Sequence, residues 1–318
     1  MKKNNNLLLK TAFAGSLIIM PALITRGIFK LSELSHKDDN DDGFFYNSDM
    51  GHIHYNIKGV GEPLLLIHSV NYTGASMKEW EQNIDELSFN YKVITIDLPG
   101  FGKSEKPRST FTAYNYALFI NNFINDVIGK PCNVIASGTS CGFALMADRI
   151  ESRYIKKLML VNPIGVEGSD VALNADTKTL KLYEMPYIGT MLYAFKASKR
   201  NINRMLETKV FFGKENITDD FKKKCYLYAH KKGVDSRFSY ASYISKFMNT
   251  DIKTSFEGTK LPLYVVWGEE NNENPISNMD ILEELRPDVM FAVFEYTKML
   301  PYYENSDKFN KLAEDFFK

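Results

Sequence analysis

Gly138-Thr139-Ser140-Cys141-Gly142 is a run whose residue types and spacing suit nucleophilic chemistry. A serine with glycine two places to either side can sit on a sharp strand-to-helix turn, where the glycines keep Cβ atoms out of a crowded corner. Ser140 would then stand at a helix N-terminus, where backbone N–H groups and the helix dipole favour developing negative charge. As a string the motif is common, but its setting is specific. Val134-Ile135-Ala136 before it reads as a buried strand, and Phe143, Met146 and Ile150 after it recur at helical spacing. A serine hydroxyl also needs a base to take its proton. The five histidines, His36, His52, His54, His68 and His230, do not cluster at metal-ligand spacings, so no metal site and no cofactor are expected. The three cysteines, Cys132, Cys141 and Cys225, read as small buried hydrophobes.

The elements that must position this turn alternate strand and helix. His52–Ile57 reads as an edge strand, and Leu64–Ile67, Val93–Ile96, Leu158–Val161, Leu263–Trp267 and Val289–Phe294 as further strands. Helical patterns run over Met77–Leu87, over Tyr116, Ile120, Phe123 and Val127, and over Phe309–Phe316. Such alternation predicts a parallel sheet covered on both faces. From about Gly165 to Thr254 the rhythm breaks into helical segments rich in Lys, Tyr and Phe. This insertion follows a strand, which places it over the strand C-termini, where ligands bind in open α/β sheets.

At 318 residues, 44% hydrophobic and 25% charged, the chain is globular, and its formal net charge of zero gives no reason to expect nucleic acid. Met1-Lys2-Lys3 is basic and Thr11–Thr25 carries no charge. We expect an uncleaved membrane anchor there, with a cleaved signal or an amphipathic or buried helix as alternatives. Lysines and arginines flank the segment almost equally, so positive-inside counting does not orient it. The expected organisation is an anchor or signal-like segment over 1–34, a polar linker over 35–50, a core over 51–164 and 256–318, and a helical insertion over 165–255.

Leu64-Leu-Leu-Ile-His-Ser69, Asp97-Leu-Pro-Gly-Phe-Gly-Lys-Ser-Glu-Lys-Pro107 and Gly138-Thr-Ser-Cys-Gly142 together resemble the α/β-hydrolase superfamily. The resemblance is to the lid-bearing group of epoxide hydrolases, haloalkane dehalogenases and serine esterases. It implies a mostly parallel eight-stranded sheet, helices on both faces and a helical lid. It also implies Ser140 as nucleophile, with oxyanion donors from the backbone of Cys141 and Val70. The family's base follows the last strand in a G-H-x-P-x-x-E loop. Here that loop is Lys298-Met299-Leu300-Pro301-Tyr302-Tyr303-Glu304, with Met299 at the base position. The acid position falls on Asn271 in Trp267-Gly268-Glu269-Glu270-Asn271, or on Asn162, both amides. Glu270 and Glu273 are nearby carboxylates, and His68 and His230 are the candidate substitute bases. The implied protein is a membrane-tethered relative with a degraded triad and a cleft for a small or lipid-like ligand. The alternative is an esterase-like serine hydrolase with a substitute base.

Overall fold

The computed structural model describes residue 20 and residues 23–31, 43–167 and 175–318. The sheet has eight strands: β1 (Phe44–Ser48), β2 (Gly51–Lys58), β3 (Glu62–Ile67), β4 (Tyr91–Ile96), β5 (Cys132–Ser137), β6 (Ile155–Val161), β7 (Leu263–Gly268) and β8 (Met290–Phe294). Their order is β1-β2-β4-β3-β5-β6-β7-β8. The β1–β2 and β2–β4 pairs are antiparallel and the remaining pairs parallel. Leu64, Leu65, Leu66 and Ile67 are all buried, as expected of a strand covered on both faces. The core begins earlier than the sequence suggested. Phe44–Ser48, assigned to a polar linker over 35–50, forms edge strand β1 through its hairpin with β2. The rest of that stretch, up to residue 42, lies outside the described residues.

Strand order decides where a site can form. The chain runs from β3 outward to β4, then returns to β5 on the other side of β3. Such a switch point leaves a crevice beyond the strand C-termini. Ile67 at the end of β3 pairs with Ala136 in β5. The loops that follow these two strands therefore abut.

Between β6 and β7 lie the lid helices: α1 (Thr177–Glu184), α2 (Ile188–Lys196), α3 (Lys199–Met205), α4 (Asp219–His230) and α5 (Ser236–Ile244). The lid is closed at its stem, where Ile252 N–H donates to Gly165 O at 3.0 Å. Gly165 has φ +99°, and a Cβ there would lie 2.0 Å from the Thr250 carbonyl oxygen. Residues 23–31 are helical and lie on the lid. Phe29 is buried with its ring 4.1 Å from His230 and 6.0 Å from Tyr193. Most of the expected 1–34 anchor lies outside the described residues, among which no helix is long and apolar enough to cross a membrane.

Gly165→Ala is expected to destabilise the fold by roughly 2–4 kcal/mol, because backbone strain and a backbone clash act together. Urea denaturation of wild type and variant would measure this; equal midpoints would remove the stem from the account of lid closure.

Candidate functional site

The turn between β5 and the helix Ser140–Ile150 is where chemistry was expected. The residue on the strained turn is Gly138, with φ +60°. Ser140 sits two residues further on, as the first residue of the helix, with a negative φ. It is fully buried, and its hydroxyl donates to the His68 carbonyl oxygen at 2.7 Å. The expectation that Ser140 stands on the strained turn is therefore corrected: the chain turns two residues earlier than G-x-S-x-G spacing implies. Ala136 and Ser140 take the small-residue places two positions to either side of Gly138.

What stands over Gly138 is an amide. A Cβ on Gly138 would lie 2.1 Å from Asn71 Oδ1 and 2.7 Å from Ser69 Oγ. Asn71 Oδ1 accepts the Thr139 N–H at 2.9 Å, and its Nδ2 donates to Thr139 Oγ1 at 2.8 Å. Ser69 Oγ also donates to Asn71 Oδ1 at 2.6 Å, and accepts Asn71 N–H at 3.1 Å. The N–H after the strained residue is the donor an oxyanion would use. Here it already holds a neutral oxygen from the protein. The expected donor Cys141 instead places its N–H on Gly138 O at 3.2 Å. Val70 is buried and lines a small secondary cavity beside Tyr72 and Gly100.

The loop that carries Asn71 rests on a buried carboxyl. Glu79 Oε1 accepts Ser69 N–H and the Tyr302 hydroxyl, both at 2.6 Å, and Oε2 is bonded to the Tyr72 hydroxyl at 2.8 Å. Burial pushes the Glu79 carboxyl up to about 8, although these hydrogen bonds pull it down. Sequence reading missed Glu79 and Asn71, since neither stands in a motif.

The family's sequence pattern, alpha/beta hydrolase fold, matches residues 62–305. The chain belongs to the α/β-hydrolase family. Among curated relatives, Lipase 3 of Moraxella sp. is 24% identical over 268 residues, covering 77% of this chain and 74% of that protein. A pimeloyl-[acyl-carrier protein] methyl ester esterase of Legionella pneumophila is 20% identical over 269 residues, covering 84% of this chain and 99% of the esterase. Among solved structures, the CarC serine hydrolase of carbazole degradation superposes with TM-score 0.71 at 18% identity, covering 86% and 98% of the two chains. A bacterial membrane phospholipase A superposes with TM-score 0.70 at 18% identity, covering 100% of this chain and 98% of its own. Identities this low establish the shared fold.

The expected base and acid positions of this α/β-hydrolase carry uncharged side chains. Met299 lines the cleft, and a thioether is no proton acceptor at neutral pH. Asn162, with φ +48°, accepts Gly268 N–H on Oδ1 and donates Nδ2 to the carbonyls of Lys298 and Met299, each at 3.0 Å. A carboxylate there would meet two carbonyl oxygens with no proton to offer. Asn271 is buried, and its Oδ1 has no hydrogen-bond partner among the described residues. Glu273 is on the cleft rim, paired with Lys209 at 2.7 Å, and Glu270 is half-buried in the same loop. Glu304 accepts N–H groups of Phe212, Gly213 and Lys298 and so ties lid to core.

Neither candidate substitute base is placed for proton transfer to Ser140. His68 donates Nδ1–H to Ser69 O at 2.6 Å and accepts Leu98 N–H on Nε2 at 2.9 Å, which requires a neutral ring. Burial pushes its pKa down accordingly. His230 bonds Tyr226 O through Nδ1 at 2.7 Å, and its ring lies 4.1 Å from those of Phe29 and Tyr226. The cysteines are buried, and the described residues contain no metal-binding cluster of His, Cys, Asp and Glu. Above the turn lies a cleft of about 710 Å³ between core and lid. Asn71, Thr139 and Met299 line it, as do Tyr240 and Tyr243 of the lid and the cations Lys196, Arg204, Lys209 and Lys246.

Two outcomes follow from the polar groups. Asn162→Asp is expected to cost roughly 2–4 kcal/mol in chemical denaturation, since two buried carbonyls lose their donor. Glu79 is held near 8 in the folded chain, against about 4.3 unfolded. Between those values the folded state keeps a proton that the unfolded state has released. Stability from this group is full at acid pH and falls as pH rises towards 8. Glu79→Gln keeps an acceptor for Ser69 and Tyr302 and a donor for Tyr72. Wild type should lose roughly 2–4 kcal/mol relative to this variant between pH 5 and 8.5. Parallel stability-against-pH curves would contradict a raised Glu79.

Proposed function

We propose that this protein is a membrane-tethered, weakly active or inactive member of the α/β-hydrolase family that uses the cleft beneath its lid as a binding site. One observation carries the reading: the strained turn holds glycine, and the N–H beside it holds the Asn71 side-chain oxygen. Hydrolysis of an ester needs a nucleophile, a base and an anion-stabilising donor in one place. Gly138 supplies no nucleophile, Met299 no base, and the Thr139 donor is occupied. Amides stand at both acid positions, Asn162 and Asn271. What supports a binding role is the cleft itself, whose volume is in the usual range for small ligands. Its mixed lining of aliphatic, tyrosine and cationic side chains suits a small or lipid-like ligand bearing an anionic group. The N-terminal apolar segment supplies the tether, and the zero net charge gives nucleic acid no general attraction.

The second reading, an esterase-like serine hydrolase working through a substitute base, is favoured by relatives named as lipase and esterase. A fluorophosphonate probe separates the two. We expect no adduct on Ser140 by mass spectrometry of the full chain. Labelling that disappears in Ser140→Ala would overturn the binding reading. A rebuilding series adds a second check. Met299→His with Asn271→Asp alone should gain no turnover of a short p-nitrophenyl ester. Adding Gly138→Ser and Asn71→Gly should raise turnover by about 100-fold over that pair, on the scale of a restored nucleophile.

A further inference from the structure

Large exposed apolar side chains concentrate on one part of this molecule. On the N-terminal helical segment they are Leu23, Ile24, Ile28 and Leu31, between 51% and 67% exposed. On the first two lid helices and their junction they include Met185, Tyr187, Ile188 and Phe195, between 38% and 66% exposed. The two sets belong to one surface. Arg26 Nη2 donates to Pro186 O at 3.3 Å, and its guanidinium lies 5.8 Å from the Tyr187 ring centre. Phe29 pins the same segment to the lid from beneath.

Charge on this surface has one dominant sign. From Asp176, the cap of the first lid helix, to Met205 there are six cations, Lys178, Lys181, Lys196, Lys199, Arg200 and Arg204, against two carboxylates, Asp176 and Glu184. Residues 23–31 add Arg26 and Lys30 and no acid. The chain as a whole is neutral. Positive charge is thus gathered here rather than spread evenly. Exposed aliphatic and tyrosine side chains collared by cations match a membrane interface, where apolar groups enter the acyl boundary and cations meet anionic headgroups. The occupant is a bilayer because the uncharged stretch Thr11–Thr25 runs directly into this segment.

We infer that the lid, with residues 23–31 laid across it, rests on an anionic bilayer surface so that the mouth of the cleft opens onto lipid. Phe195 and Lys196 connect the two features. Both line the cleft and both are exposed on this face. A ligand can then pass between acyl chains and cleft without crossing water. The inference rests on the membrane tether proposed above and adds an orientation to it.

Depth-dependent fluorescence quenching on vesicles tests it. Trp80 and Trp267 are fully buried, so tryptophan introduced by Phe195→Trp reports a new environment. The full chain is mixed with phosphatidylcholine vesicles, with and without phosphatidylglycerol, carrying brominated acyl chains. With phosphatidylglycerol present we expect co-flotation and quenching of the new fluorescence. Omitting it should weaken the quenching by about tenfold in lipid concentration, given the contribution of each cation near an anionic surface. Adding Met185→Glu and Ile188→Glu should abolish the quenching while the chain still floats. Co-flotation without quenching overturns the lid orientation and leaves the tether standing. Failure to float removes both. Quenching that is equal on both vesicles overturns the anionic requirement. A fluorescence shift that depends on protein concentration and not on brominated lipid assigns the face to a second copy of the chain and overturns the inference.

Discussion

The hydrogen bond from Thr139 N–H to the Asn71 side-chain oxygen organises the centre of this molecule. It joins the loops after β3 and β5, the strands at which the sheet reverses its winding. In that place a donor facing open space would be an invitation to an anion. Filled by a neutral amide oxygen, it becomes a strut. Ser69, Glu79, Tyr72 and Tyr302 extend the strut into a buried network, so the cleft floor is held by hydrogen bonds that run across distant parts of the chain. An amide can donate and accept at once, which is why Asn71 satisfies Thr139 at both backbone and side chain.

An amide plays the same double part where the strands end. Asn162 binds one N–H and two carbonyls at the ends of β6, β7 and the loop after β8. That arrangement needs a group with both donor and acceptor and would reject a carboxylate. Asn274 does similar work beside it, donating to the carbonyls of Asn162 and Pro163. The strand ends are thereby locked in place with neutral side chains. Ionised groups in a low-dielectric site are costly unless they are paired and hydrogen-bonded. Paired amides hold the strand ends in shape at lower cost, which accords with the proposed binding role.

Lid and core are joined by specific contacts. Glu304 gathers N–H groups from both sides, and the stem at Gly165 admits no side chain. The N-terminal helical segment adds Phe29 to this assembly by burying it against His230. A histidine weighed as a base is thus a packing element, and the tether proposed for the membrane also bears on the lid.

Much of the fold was legible in the amino-acid sequence. Apolar runs such as Leu64–Ile67 and Val134–Ala136 read as strands covered on both faces, and their alternation with helical patterns pointed to a parallel α/β sheet with an insertion. The side-chain chemistry at Met299 and Asn271 was legible too, because a thioether and an amide keep their character whatever surrounds them. Edge strand β1 was not, since Phe44–Ser48 gains its role only by pairing with β2. Nor was the position of the turn. Gly138 and Ser140 both fit a glycine–serine motif on paper, and only backbone dihedrals tell which of them bends. Asn71 and Glu79 became visible only in three dimensions, because hydrogen-bond partners 68 residues apart in Asn71–Thr139 leave no periodicity in a sequence. Local pattern determined the elements; the meeting of two distant loops decided whether an oxyanion has a place to sit.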